Sequence, residues 1–470
     1  VAAFRPGVQS QVFPTAPAGL LYPGDPGIND AGGPSTDYKN FGPRLGFAWA
    51  NASSKLSVHG GFGLYYNRTE EELALQNIDV PPTGQNSSGA ADIGGSPAFA
   101  TPFSGWCSVP GGAPVACSEA NKFPFTPPAP GAKVNFAKFE PMSLNVLSPS
   151  FGTPMSENYN LAIDYQVSPS TTAQVAYVGD VGRHLEGAYE LNPAGQFPGV
   201  NPGAAADGCN AFNLYSCDPG SFRYNPAIFG SIGQQETDFN SDYNSLQASV
   251  NKNFSHGLYF LASYTWSHYL DQTSNLENSA FNDPGIDPFD LENMWANSAN
   301  DAPQRLVISY DYELPIYHFI PHLRQLTDGW HLSGITTFQS GFPVAVYDSA
   351  DPSLTCNATY FYYACPDRAN LTSYPIAIGN PRTYSFGGQP NYWVNPSAFA
   401  MPASGTGGLG NASRNPLFGP GINDWDMILY KDIHISESKY FELRFEAYNV
   451  FNHTQFTGTS TGNGGGVVSD

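Results

Sequence analysis

Of the 470 residues only 13% are Asp, Glu, Lys or Arg, about half the fraction usual in soluble domains, while 14% are aromatic. The 40 acidic and 19 basic residues leave a formal net charge of −21, which argues against a nucleic-acid partner because phosphate binding needs a basic surface. No run of about 18 apolar residues occurs, so a transmembrane helix is excluded; strands that are apolar at every second position escape that test.

The abundant Gly (49) and Pro (41) suit an all-β chain with long irregular connections. Residues 1–42 read as a loop. A first hairpin spans 43–66, with Leu45, Phe47 and Trp49 on one face of its first strand and Leu56, Val58, Phe62, Leu64 and Tyr66 on one face of its second. The second hairpin, 157–180, alternates Tyr159, Leu161, Ile163, Tyr165 and Val167 with Asn158, Asn160, Asp164 and Gln166, and turns at 168–171. The third, 242–268, is the clearest. Leu246, Ala248 and Val250 oppose Ser245, Gln247 and Ser249, and after Ser255-His256-Gly257 the residues Leu258, Phe260, Ala262, Tyr264 and Trp266 share a face. The fourth spans 303–339, where Leu306, Ile308, Tyr310, Tyr312 and Leu314 oppose Arg305, Ser309, Asp311 and Glu313, and its connection runs through Pro315 and Pro321. The fifth spans 424–452, where Phe441, Leu443, Phe445 and Ala447 oppose Glu442, Arg444, Glu446 and Tyr448. Residues 453–470 read as a loop.

One alternating strand is weak evidence, because a half-buried soluble sheet also alternates. The repeated asymmetry is stronger. Short turns fall on one side of all five hairpins and the segments 67–156, 181–241, 269–302 and 340–423 on the other. Loops beyond about 15 residues are uncommon in compact domains, whereas outer-membrane barrels pair short periplasmic turns with long external loops. The charges on the polar face fit a wet lumen better than a dry core. The expected fold is therefore an antiparallel transmembrane β-barrel, partial, with about ten strands of a larger barrel visible. Its apolar face would meet outer-membrane lipid.

Six cysteines form three close pairs, each inside one long loop: Cys107 with Cys117, Cys209 with Cys217, and Cys356 with Cys365. Loop disulfides are expected, since no pair has the C-x₂-C spacing of a zinc site. Asp283, Asp287, Asp290, Glu292 and Asp301 offer hard oxygen ligands of the kind calcium takes, but without EF-hand spacing a solvated acidic loop is preferred. Gly405-Thr-Gly-Gly-Leu-Gly410 spells a dinucleotide loop but lacks the strand before it and the helix after it. His318 and His322 are four apart, but Pro321 spoils a helical face, so a turn role is expected. Asn357 and Asn370 open glycosylation sequons that are read as accidental in a bacterial envelope. No catalytic residue, cofactor or metal is expected, and the chain is not read as an enzyme.

The motifs Asn40-Phe-Gly-Pro-Arg-Leu-Gly-Phe-Ala48, Tyr243-Asn-Ser-Leu-Gln247, Ala262-Ser-Tyr-Thr-Trp-Ser267, Trp330-His-Leu-Ser-Gly334, Gln339-Ser-Gly-Phe-Pro343 and Glu446-Ala-Tyr-Asn-Val-Phe-Asn-His453 resemble, in order and over nearly the whole chain, the Oar-like TonB-dependent outer-membrane transporters. The resemblance implies the later part of a barrel of about 22 strands. It also implies an upstream plug and N-terminal domain, neither visible here, through which a TonB complex would act. The expected function is a receptor-transporter of the bacterial outer membrane. Its loops would capture a bulky ligand such as a peptide, protein or oligosaccharide. The alternative is a secreted all-β adhesin or glycan-active protein with disulfide-stapled loops and charged outer faces.

Overall fold

The computed structural model describes residues 2–30, 32–34, 37–68, 80–83, 126–192, 224–225, 227–274, 290–348, 367–376, 385–386, 389–390, 394–402, 409–436, 439–455 and 466–467. Ten long strands dominate it: β1 (Arg44–Ala50), β2 (Leu56–Tyr66), β3 (Met155–Ser168), β4 (Thr171–Glu190), β5 (Phe229–Ser255), β6 (Leu258–Asp271), β7 (Gln304–Glu313), β8 (Trp330–Gln339), β9 (Ile422–Ser436) and β10 (Lys439–Ala447). They form one antiparallel sheet in which each strand pairs with its neighbours in sequence. Among the described residues β1 and β10 are each paired along one edge only, so the sheet is open.

The register decides which residues share a face. Phe47, Gly60, Leu161, Tyr177, Leu246 and Trp266 fall in one row across β1 to β6. Two residues along, Trp49, Val58, Ile163, Val175, Ala248, Tyr264, Leu306 and Phe338 make a second row on the same face. One residue beyond the second row lies a row on the other face: Ser57, Asp164, Gln174, Ser249 and Ser263. Because side chains alternate across a strand, six separate alternations merge into one apolar and one polar wall.

Among the described residues no second layer covers the apolar wall. Leu161, Ile163, Leu246 and Leu443 are exposed, Phe260, Leu306 and Ile308 are partly exposed, and none of them belongs to a buried apolar cluster. The sandwich arrangement is thereby excluded for these strands, and a hydrocarbon-facing wall is what remains. Tight turns close one side. His256 and Gly257, both at positive φ (53° and 72°), form the two-residue turn between β5 and β6, a geometry whose twist matches the flanking strands.

Two strands run well past the expected ten residues: β4 has 20 and β5 has 27. The extension of β5, residues 229–241, adds roughly 40 Å at ~3.3 Å per residue. It carries buried Gln234, Gln235, Glu236 and Thr237, and Met142–Leu147 pairs parallel to it. A strand inside lipid would not bury such residues in a row. This part of the hairpin stands in the aqueous space on the side of the long loops.

Candidate functional site

The long loops build a packed assembly. Ala3–Phe4 pairs with Leu20–Leu21, and the core around them takes Phe13, Tyr22, Val80, Phe136, Leu144, Phe229 and Ile232 from four separate segments. Residues 1–42, expected to be a plain loop, therefore supply much of a small hydrophobic core. Gly19 (φ +116°) lies where an added Cβ would stand 2.8 Å from the Phe4 ring, so the chain can cross there only as glycine.

Asp25 organises the same segment. Its carboxylate accepts hydrogen bonds from Ser10 Oγ (2.7 Å) and from the amides of Gln11 (2.6 Å), Val12 (3.0 Å) and Tyr22 (2.8 Å). Burial alone would raise its pKa; the four donors outweigh that and hold it below the usual carboxylate range. Burial, with the Asp25 charge beside it, pushes the Tyr22 phenol far up, so it stays a hydrogen-bond donor, here to the Pro81 carbonyl.

A second assembly joins the loop 340–423 to the loop 269–302. Val344, Val346, Ala369, Ala398, Phe399 and Leu417 form its core. Arg414 pins it down: the guanidinium meets the Asp271 carboxylate at the end of β6, its Nη2 donates to the Asp271 carbonyl (2.8 Å) and its Nη1 to Ser274 Oγ (2.7 Å). Both charged side chains are almost wholly buried, at 1% and 2% exposure. Asn415 Nδ2 donates to the Asn297 carbonyl (2.7 Å) and Arg368 Nη1 to the Asn293 carbonyl (3.2 Å). Asp301, fully buried, accepts from the Tyr269 amide (3.0 Å) and lies 3.3 Å from His268 Nδ1; burial pushes its carboxyl up despite those partners.

The polar wall beneath carries linked side chains. Asp164 accepts from Ser57 Oγ (3.0 Å) and Gln174 Nε2 (2.8 Å) and lies 3.2 Å from His59 Nδ1. Near the short turns, Asp311 lies 3.0 Å from His331 Nδ1 and accepts from the Tyr430 hydroxyl (2.7 Å). Arg444, 5.9 Å from the Tyr430 ring, bonds to Glu442 and Glu446 at 2.7 and 3.3 Å. These groups come from β2 to β4 and from β7 to β10, and they meet because the register places them in neighbouring rows.

Of the expected site residues, Asp290 caps a helical turn, Leu291–Met294, by accepting from the Asn293 amide, and Glu292 is exposed. Asp283 and Asp287 lie outside the described residues. So do all six cysteines, Cys107, Cys117, Cys209, Cys217, Cys356 and Cys365, and with them the three expected loop disulfides. Among the described residues no group of three or more His, Cys, Asp or Glu side chains could hold a metal. The sequence reading gave no site role to Asp25, Arg414 or Asp271, and placed Asp301 in a solvated acidic loop, whereas it is buried.

A family model described as an outer membrane beta barrel domain matches residues 1–469. No curated protein matches the sequence. Among solved structures, the outer membrane transporter YddB of Escherichia coli is similar at 10% identity over 89% of this chain and 38% of its own, with a TM-score of 0.41. The siderophore receptor PirA of Pseudomonas aeruginosa follows at 9% identity, 89% and 40% coverage, and 0.34. A mutant of the ferric enterobactin receptor PfeA of the same organism gives 10%, 88% and 35%, and 0.37. The chain spans 40% or less of the length of these three structures.

Proposed function

We propose a function from one premise: this chain belongs to the family of outer membrane beta barrel domains. It is thus a protein of the bacterial outer membrane. Our reading is a TonB-dependent receptor-transporter of the Oar-like kind, as its motifs suggest. The packed loop assemblies capture a ligand outside, the polar wall passes it inward by many weak contacts, and an energised inner-membrane complex opens the path through a plug. A bulky ligand, peptide, protein or oligosaccharide, fits external segments of this size better than a small chelate does. No catalytic step enters this reading. The loop assemblies position the binding surface, as rigid scaffolds do for functional loops.

The observation that carries it is the opposition of the two walls beneath a loop assembly with its own buried cores. It also opposes the secreted alternative, which needs a charged outer wall. The test uses cells expressing the full-length protein and fluorescent peptides, proteins and oligosaccharides. One class should bind at the surface whether or not the proton gradient is intact and enter only when it is. Entry that ignores a protonophore, or no surface binding by any class, would contradict the reading.

A further inference from the structure

The connection between β7 and β8 differs from the other short-side connections. Those comprise 51–55 between β1 and β2, 169–170 between β3 and β4, 256–257 between β5 and β6 and 437–438 between β9 and β10, whereas this one takes residues 314–329. It folds into three short helical turns, Ile316–Phe319, Pro321–Leu323 and Arg324–Thr327. Their apolar residues are not buried. Phe319 is 81% exposed, Leu326 65%, Leu323 50% and Ile320 39%, and among the connection's helical residues only Thr327 is buried. A solvated turn of this length has no need of four large exposed apolar side chains, and a patch of this kind marks a contact surface.

Its position says which. The Trp330 indole donates to the Leu326 carbonyl (2.8 Å), and Lys431 Nζ reaches the Asp328 carbonyl (2.5 Å) while lying 5.5 Å from the Trp330 ring. Trp330, Lys431 and Leu443 form one register row, and that row belongs to the apolar wall. The connection is therefore attached on the lipid side of the sheet, not over the lumen. Exposed Ile433 and Phe441 make the next row toward the same end. A tryptophan, a lysine whose stem lies along apolar surface, and helical turns with exposed Phe and Leu are what the boundary between headgroups and acyl chains selects.

We infer that residues 314–329 form an interfacial anchor that lies in the periplasmic leaflet of the outer membrane, with Phe319, Leu323 and Leu326 inserted among phospholipid chains. The occupant of this surface is lipid because the patch is bonded to Trp330 and Lys431, the row in which the lipid-facing wall ends beside it. The inference rests on the outer-membrane reading. His318 and His322, which the sequence offered only as turn residues, belong to this segment.

The test places the photocrosslinker p-benzoyl-phenylalanine at Phe319, at Leu326 and, separately, at Ile163 in the middle of the wall, in the full-length protein in native membranes. The same label at Asp30, off the sheet, sets the background. Mass spectrometry should find phospholipid adducts at Phe319 and Leu326 at several times that background. Adducts to protein alone, or none above background, would overturn the anchor. If Ile163 still yields lipid in that case, the barrel assignment survives; if Ile163 fails as well, both fall.

Discussion

Arg414 and Asp271 hold two loops together through charges that water does not reach. Removing one partner of a buried pair leaves the other charge unpaired in a poor solvent, at a cost of ~3–5 kcal/mol. Arg414→Ala is therefore expected to loosen loop 340–423 while the sheet stays intact, seen as protease cleavage within that loop but not within β5 or β6. Asp25 makes the analogous prediction for the N-terminal segment, with a pH dependence. Its folded pKa is depressed, so the native state binds its proton less tightly than the unfolded chain does. It contributes stability above the unfolded value, about 3.9, and loses it as pH falls through the lowered folded value. Amide exchange at Gln11, Val12 and Tyr22, corrected for intrinsic rates, should rise in acid below about pH 4. In Asp25→Ala it should be fast throughout, with ~3 kcal/mol of local stability gone.

At the level of the strand, the two faces should respond in opposite ways to the same change. Ile163 is 46% exposed in the middle of the apolar wall, and an arginine there would cost little if water covered it. In lipid an arginine near the midplane costs ~2–4 kcal/mol. Ile163→Arg should lower folding stability in vesicles by that amount, while Gln247→Arg, on the polar face of β5, should change it by less than ~1 kcal/mol. Denaturant titration in lipid vesicles measures both. The strands were legible in the sequence because a period of two needs no tertiary information: Leu246, Ala248 and Val250 announce their face by spacing alone. The lumen cluster of Asp311, His331 and Tyr430 was not, since its members come from three strands and only the register brings them together. The connection 314–329 was legible as an interruption, through Pro315 and Pro321; its Phe319, Leu323 and Leu326 have the i, i+4, i+7 spacing of a helical face, but Pro321 between them argued against a helix there.

For the molecule as a whole, the hydrophobic residues divide between two environments. Those of the sheet look outward, and the two clusters of the long loops pack inward. Phe4, Phe13, Leu20, Tyr22, Val80, Phe136 and Ile232 are scattered over more than 200 positions in stretches rich in Gly and Pro, so nothing local in the sequence sets them apart from a solvated loop. The parallel pairing of Met142–Leu147 with the extension of β5 helps to gather them, and that extension carries no alternation strong enough to be read as strand. The motif order pointed to the same architecture as the family match, while the loop cores became visible only in three dimensions.

The most direct test scans β5 from Leu246 to Asn251 with single nitroxide labels, in full-length protein whose native cysteines are replaced by serine, reconstituted in bilayers. Labels at Leu246, Ala248 and Val250 should collide with oxygen and be shielded from an aqueous nickel chelate. Those at Gln247, Ser249 and Asn251 should show the reverse, residue by residue. Equal access to the chelate along the whole stretch would contradict a wall with hydrocarbon on one side and water on the other.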